Sequence, residues 1–132
     1  MNPVAVRCAR ANVALNGLED RIEIRHGDLF APVEGLRFHL VLFNPPFFRG
    51  RPRDDRFGLS WRSVDVPERF AAGLRSALAS GGRALIVLST DGDAPGLLRA
   101  LEVEQMSVTA IARRNLGNEI MTVYCAGPRG DL

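Results

Sequence analysis

Residues 38–47 read Phe-His-Leu-Val-Leu-Phe-Asn-Pro-Pro-Phe, and this stretch decides the fold. Its first six residues are apolar apart from His39, which is typical of a parallel strand that is buried on both faces. Asn44 and two prolines end the strand, because proline donates no backbone hydrogen bond. Open α/β sheets bind ligands at the carboxyl ends of their parallel strands. We therefore predict a buried strand over 38–43 with a ligand site at its end.

The corner Asn44-Pro45-Pro46-Phe47 suits a planar NH2 group. Each proline restricts its own φ angle and keeps the preceding residue extended. The Asn44 side-chain oxygen and the Pro45 carbonyl can then accept the two hydrogens of the group, while Phe47 stacks on its face. Such positioning orients the nitrogen toward an electrophile. The alternative is a simple turn, since asparagine and proline are common turn residues, but the full tetrapeptide behind an apolar strand favours a functional corner.

Upstream of the corner, the pattern predicts one helix and one strand. Asn2 is a suitable helix cap and Pro3 suits the first turn, so we predict a helix from Pro3 to Asn16 that stops at Asn16-Gly17. Ile22 and Ile24 alternate with polar residues, which predicts a strand over 21–25 ending near Gly27-Asp28. Residues 29–37 read as a loop.

Downstream, a long loop over 47–64 precedes alternating helices and strands. Asp65 and Glu68 resemble a capping box, and the helix that they begin is predicted to end at Gly81-Gly82. The further elements are predicted over 84–88 (buried strand), 95–103 (helix), 106–112 and 119–126 (strands joined by a hairpin turn). Strands alternating with helices predict an α/β fold with a mostly parallel sheet, an antiparallel C-terminal hairpin and a single domain over 1–132.

These motifs together resemble the class I S-adenosylmethionine-dependent N-methyltransferases. A strand followed by Asn44-Pro45-Pro46-Phe47 is similar to the family's catalytic motif, and Gly81-Gly82-Arg83 to the turn into its fifth strand. The resemblance implies a Rossmann-like sheet whose strands lie in the spatial order 3-2-1-4-5-7-6. It also implies that this chain lacks the first two strands and their glycine-rich loop. One edge of the strand at 38–43 would then be bare, and strands with open edges seek partners.

The resemblance also implies the cofactor and the residues that serve it. S-adenosylmethionine is the expected cofactor, with Asp28 at the position that contacts its adenine amino group and with Leu29 and Asn44 as further cofactor-binding residues. The expected catalytic residues are Asn44, Pro45, Pro46 and Phe47. No metal is expected, since the sequence has no cluster of cysteines and histidines with metal-ligand spacing.

Two classes of substrate and one non-catalytic alternative stay open. The ending Asn118-Glu119-x-x-Thr122-Val123-Tyr124 resembles the last strand of the release-factor glutamine type, which favours a protein glutamine, with a release factor as partner. A base in nucleic acid is the second expectation. The alternative is a shortened, non-catalytic module that binds other proteins or forms a homo-oligomer through its open strand edges. Glu119 reads as a surface charge more readily than as a group in the cleft.

Composition narrows the setting. No apolar run approaches the length of a membrane span and Met1-Asn2-Pro3 does not resemble a signal peptide, so we expect a cytoplasmic protein with reduced, buried Cys8 and Cys125. The 17 basic residues are all arginines and the net charge is only +2, so arginine content is weak support for nucleic-acid binding. The loop arginines fit either a substrate loop or a solvated loop: Arg49, Arg51, Arg53, Arg56 and Arg62.

Overall fold

The computed structural model describes residues 2–45, 48–49, 62–63 and 65–130. The chain forms two compact units, residues 1–34 and residues 35–132. The described part of the second unit contains a mixed four-stranded sheet, a two-stranded sheet and two helices. The first unit contains one α-helix, a 3-10 turn and irregular chain.

The first unit begins with helix α1 (Pro3–Leu15), as predicted. The side chain of Asn2 caps it by accepting a hydrogen bond of 2.9 Å from the Val4 amide. The helix ends where Gly17 adopts a φ of +62°, which glycine reaches without the steric penalty that a Cβ atom would bring. The predicted Asn16-Gly17 stop is therefore correct to within a residue.

The predicted strand over 21–25 is wrong. Residues 22–26 are irregular and take part in no strand ladder among the described residues. The alternation of Ile22 and Ile24 satisfies the side-chain pattern of a strand, but a strand also needs a neighbour for its backbone hydrogen bonds. A 3-10 turn (Ala31–Val33) follows inside the predicted loop.

The second unit contains a four-stranded sheet whose strands lie side by side in the order Phe38–Phe43, Leu78–Ser89, Ile120–Pro128 and Met106–Asn115. Its strands are β1 (Phe38–Phe43), β4 (Leu78–Ser89), β5 (Met106–Asn115) and β6 (Ile120–Pro128). β1 and β4 are parallel, and the other two pairings are antiparallel. This order reproduces the 4-5-7-6 part of the expected family sheet, and the antiparallel C-terminal hairpin is confirmed. Two short strands, β2 (Phe48–Arg49) and β3 (Arg62–Ser63), pair with each other in parallel.

Helices α2 (Val66–Ala77) and α3 (Ala94–Val103) cover one face of the sheet and form the core with it. The side chains that alternate inward from β4 meet the buried stripes of both helices. The core consists mainly of Phe70, Ala71, Leu74, Ala84, Ile86, Leu88, Leu97, Leu101, Met106 and Ala126. Burying a large apolar side chain contributes about 1.5–3 kcal/mol, so this layer supplies most of the stability of the unit.

The prediction that β1 is buried on both faces is wrong. Leu40 is 51% exposed and Leu42 is 72% exposed, on the face opposite the helices. Within the described part of the second unit, nothing covers that face. β1 also pairs with β4 alone among the described strands, as expected for an edge, and an oligomer formed through this edge stays a prediction.

Gly81-Gly82 was predicted to end a helix but instead lies within β4. Helix α2 stops earlier, at Ala77, and Arg37 satisfies the end of this helix by donating to the carbonyls of Ser76 at 3.0 Å and Leu78 at 3.2 Å. Phe38 pairs with Leu78 and Leu40 with Arg83, so the intervening residues of β4 bulge out of register. The glycines therefore shape an irregular strand, a role that a local turn signal cannot distinguish from a helix stop.

Several features bear on the class of protein. No helix within residues 2–45 and 65–130 is long and apolar enough to cross a membrane. The described residues contain no cluster of metal-binding side chains. Both cysteines are free, and the expectation that both are buried is wrong for Cys8, which lies exposed on α1, whereas Cys125 is buried.

Candidate functional site

The end of β1 presents the side chain of Asn44 to solvent. Asn44 is exposed, and the next residue in the sequence, Pro45, is buried. The chain therefore leaves the sheet with Asn44 outside the core. Pro46 and Phe47, the other two residues of the predicted catalytic corner, lie outside the described residues. Their roles, and that of Asn44, stay predictions.

An aromatic pair holds the strand end in place. The ring of Phe43, the last residue of β1, stacks on the ring of Phe70 from α2 with a centroid distance of 3.8 Å and an interplanar angle of 10°. Phe70 is only 2% exposed, so the pair fixes the residue before Asn44 against the core. Sequence reasoning placed both residues correctly in their elements but gave no signal of their contact.

An open apolar pocket of about 370 Å³ lies beside Asn44 on the uncovered face of the sheet. The pocket is lined by Leu42, Phe43, Asn44, Leu85, Val87 and Val123. Asn44 is the polar member of this lining, at the carboxyl end of β1. An apolar surface with one polar group at its rim is a typical arrangement for orienting a small planar group.

A second polar group stands at the same end of the sheet. The Ser89 hydroxyl at the end of β4 donates to Oε2 of Glu119 at 2.5 Å, and the amide of Asp91 donates to the Ser89 oxygen at 3.1 Å. Ser89 is 2% exposed and Glu119 is half-buried, so the carboxylate is held rather than free in solvent. The sequence favoured Glu119 as a surface charge, but its side chain is half-buried and hydrogen-bonded to Ser89. The only sequence signal for Ser89 is a hydroxyl directly after an apolar strand.

Two hydrogen bonds between Thr90 and Ile120 strengthen this junction between β4 and the C-terminal hairpin. The Thr90 amide donates to the Ile120 carbonyl at 3.0 Å, and the Ile120 amide donates to Oγ1 of Thr90 at 2.9 Å. Ser89 is also paired with Met121 in the β4–β6 ladder. The end of β4 and the start of β6 are therefore joined by continuous hydrogen bonds that extend past the last ladder pair.

The predicted cofactor-binding residues Asp28 and Leu29 lie in the first unit. Asp28 is exposed, and its carbonyl accepts from the Ala31 amide at 3.1 Å, closing the turn that leads into the 3-10 helix. Leu29 is half-buried with a φ of +46°, an uncommon conformation for a residue with a side chain. Asp28 therefore begins a turn where the sequence analysis expected the end of a strand, and binding of a cofactor there stays a prediction.

Near that turn, Arg25 donates two hydrogen bonds to the Glu23 carboxylate, at 2.8 and 2.9 Å, and a third to the Pro32 carbonyl at 2.9 Å. The hydrogen bond from Arg25 holds the pKa of Glu23 below its ordinary value, and the same contact raises the pKa of Arg25. Both groups are solvent-accessible, so the contact tethers the two ends of the segment and contributes little to stability.

Arginines of the long loop belong mainly to the part of the chain that the structure does not describe. The described pieces of this region are the short parallel strands that contain Arg49 and Arg62. Arg51, Arg53 and Arg56 lie outside the described residues, and the choice between a substrate loop and a solvated loop stays open.

Comparison with solved structures defines the class of fold. The chain superposes on a ribosomal protein L11 methylase from Lactobacillus delbrueckii subsp. bulgaricus with a TM-score of 0.63 and 18% identity, covering 93% of this chain and 53% of that one. At this identity the likeness concerns the fold, which is the Rossmann-like methyltransferase fold. The strand order of the four-stranded sheet agrees with that class.

The chain belongs to the methyltransferase small domain family, whose model matches residues 1–116. A tRNA1(Val) (adenine(37)-N6)-methyltransferase from Porphyromonas gingivalis is 44% identical over 54 residues, which are 37% of this chain and 21% of that protein. A release factor glutamine methyltransferase from Aquifex aeolicus is 36% identical over 47 residues, 36% of this chain and 17% of that protein. The chain therefore matches about a fifth of the length of these relatives.

Proposed function

We propose that this protein transfers a methyl group from S-adenosylmethionine to a planar amide or amino nitrogen. The observation that carries the proposal is the exposed Asn44 at the end of β1, beside an apolar pocket and directly after a residue anchored by stacking on Phe70. Membership of the methyltransferase small domain family supports the reaction class.

The chemistry of the acceptor explains why an asparagine and a carbonyl suffice. The lone pair of an amide or aryl amino nitrogen is delocalised, so the enzyme has to orient the NH2 group rather than deprotonate it first. The Asn44 side-chain oxygen and the Pro45 carbonyl accept its two hydrogens and direct the nitrogen toward the methyl donor. As the nitrogen–carbon bond forms, the bond between the methyl carbon and the donor sulfur would break with its electron pair staying on sulfur. The nitrogen would then release one proton to solvent. Phe47 is proposed to stack on the planar group.

The residues proposed for the cofactor fit its chemistry. The exposed carboxylate of Asp28 can accept a hydrogen bond from an adenine amino group, and the half-buried Leu29 beside it offers an apolar contact for the ring. Asn44 is proposed as a further cofactor-binding residue, in addition to its role toward the methyl acceptor. When bound, S-adenosylmethionine supplies an electrophilic methyl group on a positively charged sulfur.

We favour a protein glutamine as the acceptor, with a release factor as candidate partner, and a nucleic-acid base as the second possibility. The hairpin residues Asn118 and Glu119 support the first, together with the similarity to a release factor glutamine methyltransferase. The similarity to a tRNA adenine-N6 methyltransferase supports the second. Neither the family match nor these relatives supports a non-catalytic module.

The test is methyl transfer by wild type and by Asn44→Ala, with tritiated S-adenosylmethionine and two acceptors, a glutamine-containing peptide and an adenine-containing RNA. We expect Asn44→Ala to reduce turnover by about a hundredfold, as misplacement of a reacting group does, with an unchanged circular dichroism spectrum. Asn12→Ala, on the exposed surface of α1, is the matched control. Unchanged turnover in Asn44→Ala, or no transfer to either acceptor, would refute the proposal.

A further inference from the structure

Two neighbouring rows of side chains on the uncovered face of the sheet both end in a polar group. Side chains alternate along a strand, so Leu40, Leu42 and Asn44 form one row on β1. Leu85 and Val87 line the same pocket as Asn44, and the next residue of their row on β4 is Ser89. Since Ser89 donates to Glu119, the Glu119 carboxylate lies at the end of the second row, on the face that carries the pocket.

The spacing between the two row ends is short. Phe43 is paired with Ile86 in the parallel ladder, so Asn44 lies one residue and Ser89 three residues beyond that pair. With about 3.3 Å per residue along a strand and about 4.8 Å between strands, the Cα atoms of Asn44 and Ser89 are roughly 8 Å apart. Asn44 and the Ser89 residue that binds the Glu119 carboxylate therefore end neighbouring strands at the same edge of the sheet.

We propose that Glu119 contacts the methyl acceptor and selects a peptide, by accepting a hydrogen bond from a backbone N–H group beside the target glutamine. This inference rests on the proposed function and names its substrate class. Within the described residues, the Ser89 hydroxyl donates to Oε2 of Glu119, and Oε1 of the same carboxylate is a second hydrogen-bond acceptor. Ser89 acts as a positioning residue, because its hydroxyl fixes the carboxylate.

The chemistry of the alternatives favours the peptide. A carboxylate only accepts hydrogen bonds, so its partner must be a donor. Beside its amino group, adenine presents ring nitrogens that are themselves acceptors, and the flanking phosphates are anions. A glutamine in a peptide, in contrast, has a backbone N–H group on either side. A carboxylate held near Asn44 thus favours a peptide, which offers N–H donors, and disfavours a nucleic acid, which presents acceptor nitrogens and anionic phosphates.

The inference is tested by replacing backbone amides next to the glutamine, one at a time, with esters, which removes a single N–H donor. Peptide binding is measured by fluorescence anisotropy and methyl transfer with tritiated S-adenosylmethionine. For wild type we expect one ester to weaken binding by about tenfold to a hundredfold, the range for a charge-assisted hydrogen bond. In Glu119→Ala the same ester should change nothing further. Glu119→Gln keeps an uncharged acceptor and should show a smaller ester effect than wild type.

Three comparisons make the result decisive. Glu102→Ala, an exposed acidic position on α3, should behave as wild type, and Ser89→Ala should reduce the ester effect without abolishing it. An ester effect of equal size in wild type and Glu119→Ala would overturn the inference. Methylation of RNA that depends on Asn44, with no binding of the peptide, would also overturn the inference, but the proposed function would stand. An ester effect that depends on Glu119, with methyl transfer insensitive to Asn44→Ala, would overturn the proposed function alone.

Discussion

The stacked pair Phe43–Phe70 should couple the stability of the core to the geometry of the strand end. The rings lie 3.8 Å apart and nearly parallel, and Phe70 is 2% exposed. Phe70→Leu keeps a large apolar side chain in the same place but removes the stacking. An aromatic pair contributes about 0.5–1.5 kcal/mol beyond its buried area, and the change of shape adds up to about 1.5 kcal/mol. We therefore expect the free energy of unfolding to fall by about 0.5–3 kcal/mol.

The stacking contribution can be isolated by a double-mutant cycle with Phe43→Leu. Urea unfolding followed by circular dichroism gives the free energy of unfolding for wild type, both single variants and the double variant. Because either single substitution already removes the pair, the double variant should lose about 0.5–1.5 kcal/mol less than the sum of the single losses.

Phe38 supplies the matched control, since it is a phenylalanine at the other end of the same strand, about 17 Å from Phe43 at the usual rise per residue. Phe38→Leu and Phe70→Leu should be additive to within about 0.5 kcal/mol. Additive losses for Phe43→Leu and Phe70→Leu as well would show that the stacking contributes no specific energy. The aromatic pair would then not anchor the end of β1.

Two further substitutions test other parts of the structure. Gly82→Ala would place a Cβ atom 2.6 Å from the Phe38 carbonyl oxygen, so we expect a loss of about 1–3 kcal/mol in urea unfolding. Gly81→Ala has open space and only an unfavourable φ of +69°, so it should lose about 1–2 kcal/mol; a larger loss than in Gly82→Ala would contradict the packing argument. Arg25→Gln should raise the pKa of Glu23 toward its ordinary value in an NMR titration. Because the pKa of Glu23 is lowered in the folded state, its contact with Arg25 stabilises the fold at pH values above the unfolded-state pKa. This stabilisation disappears as the pH falls through the folded-state pKa. An unchanged titration of Glu23 in Arg25→Gln would disprove the contact.

The sequence predicted those elements whose signals are local. Asn2 and Pro3 mark the start of α1 and Gly17 its end, since capping depends on residues within one turn. The helix predicted over 95–103 and the closing hairpin are also present, with boundaries shifted by at most three residues. The strand over 38–43 also ends where the sequence predicted, and a ligand site at its end stays a prediction.

The errors concern properties that depend on distant neighbours. The pattern at 21–25 fits a strand, but strand formation needs a partner that the local sequence does not specify. The apolar run of β1 indicates burial, yet burial depends on what covers each face, and Leu42 remains exposed. The contact between Ser89 and Glu119 joins residues thirty positions apart, a pairing that no local pattern encodes.

The order of the sheet also determines where its hydrogen bonds break first. β4 and β6 are bonded on both sides, whereas β1 is bonded on one side only among the described strands. Backbone amides of an outer strand exchange with solvent through local fraying, while those of central strands wait for larger openings. The slowest-exchanging amides should therefore lie in β4 and β6, and Asn44 directly follows one of the two outer strands of this sheet, β1 and β5. A ligand that bridges Asn44 and the β4–β6 junction would slow the exchange of β1 without adding a strand to the sheet.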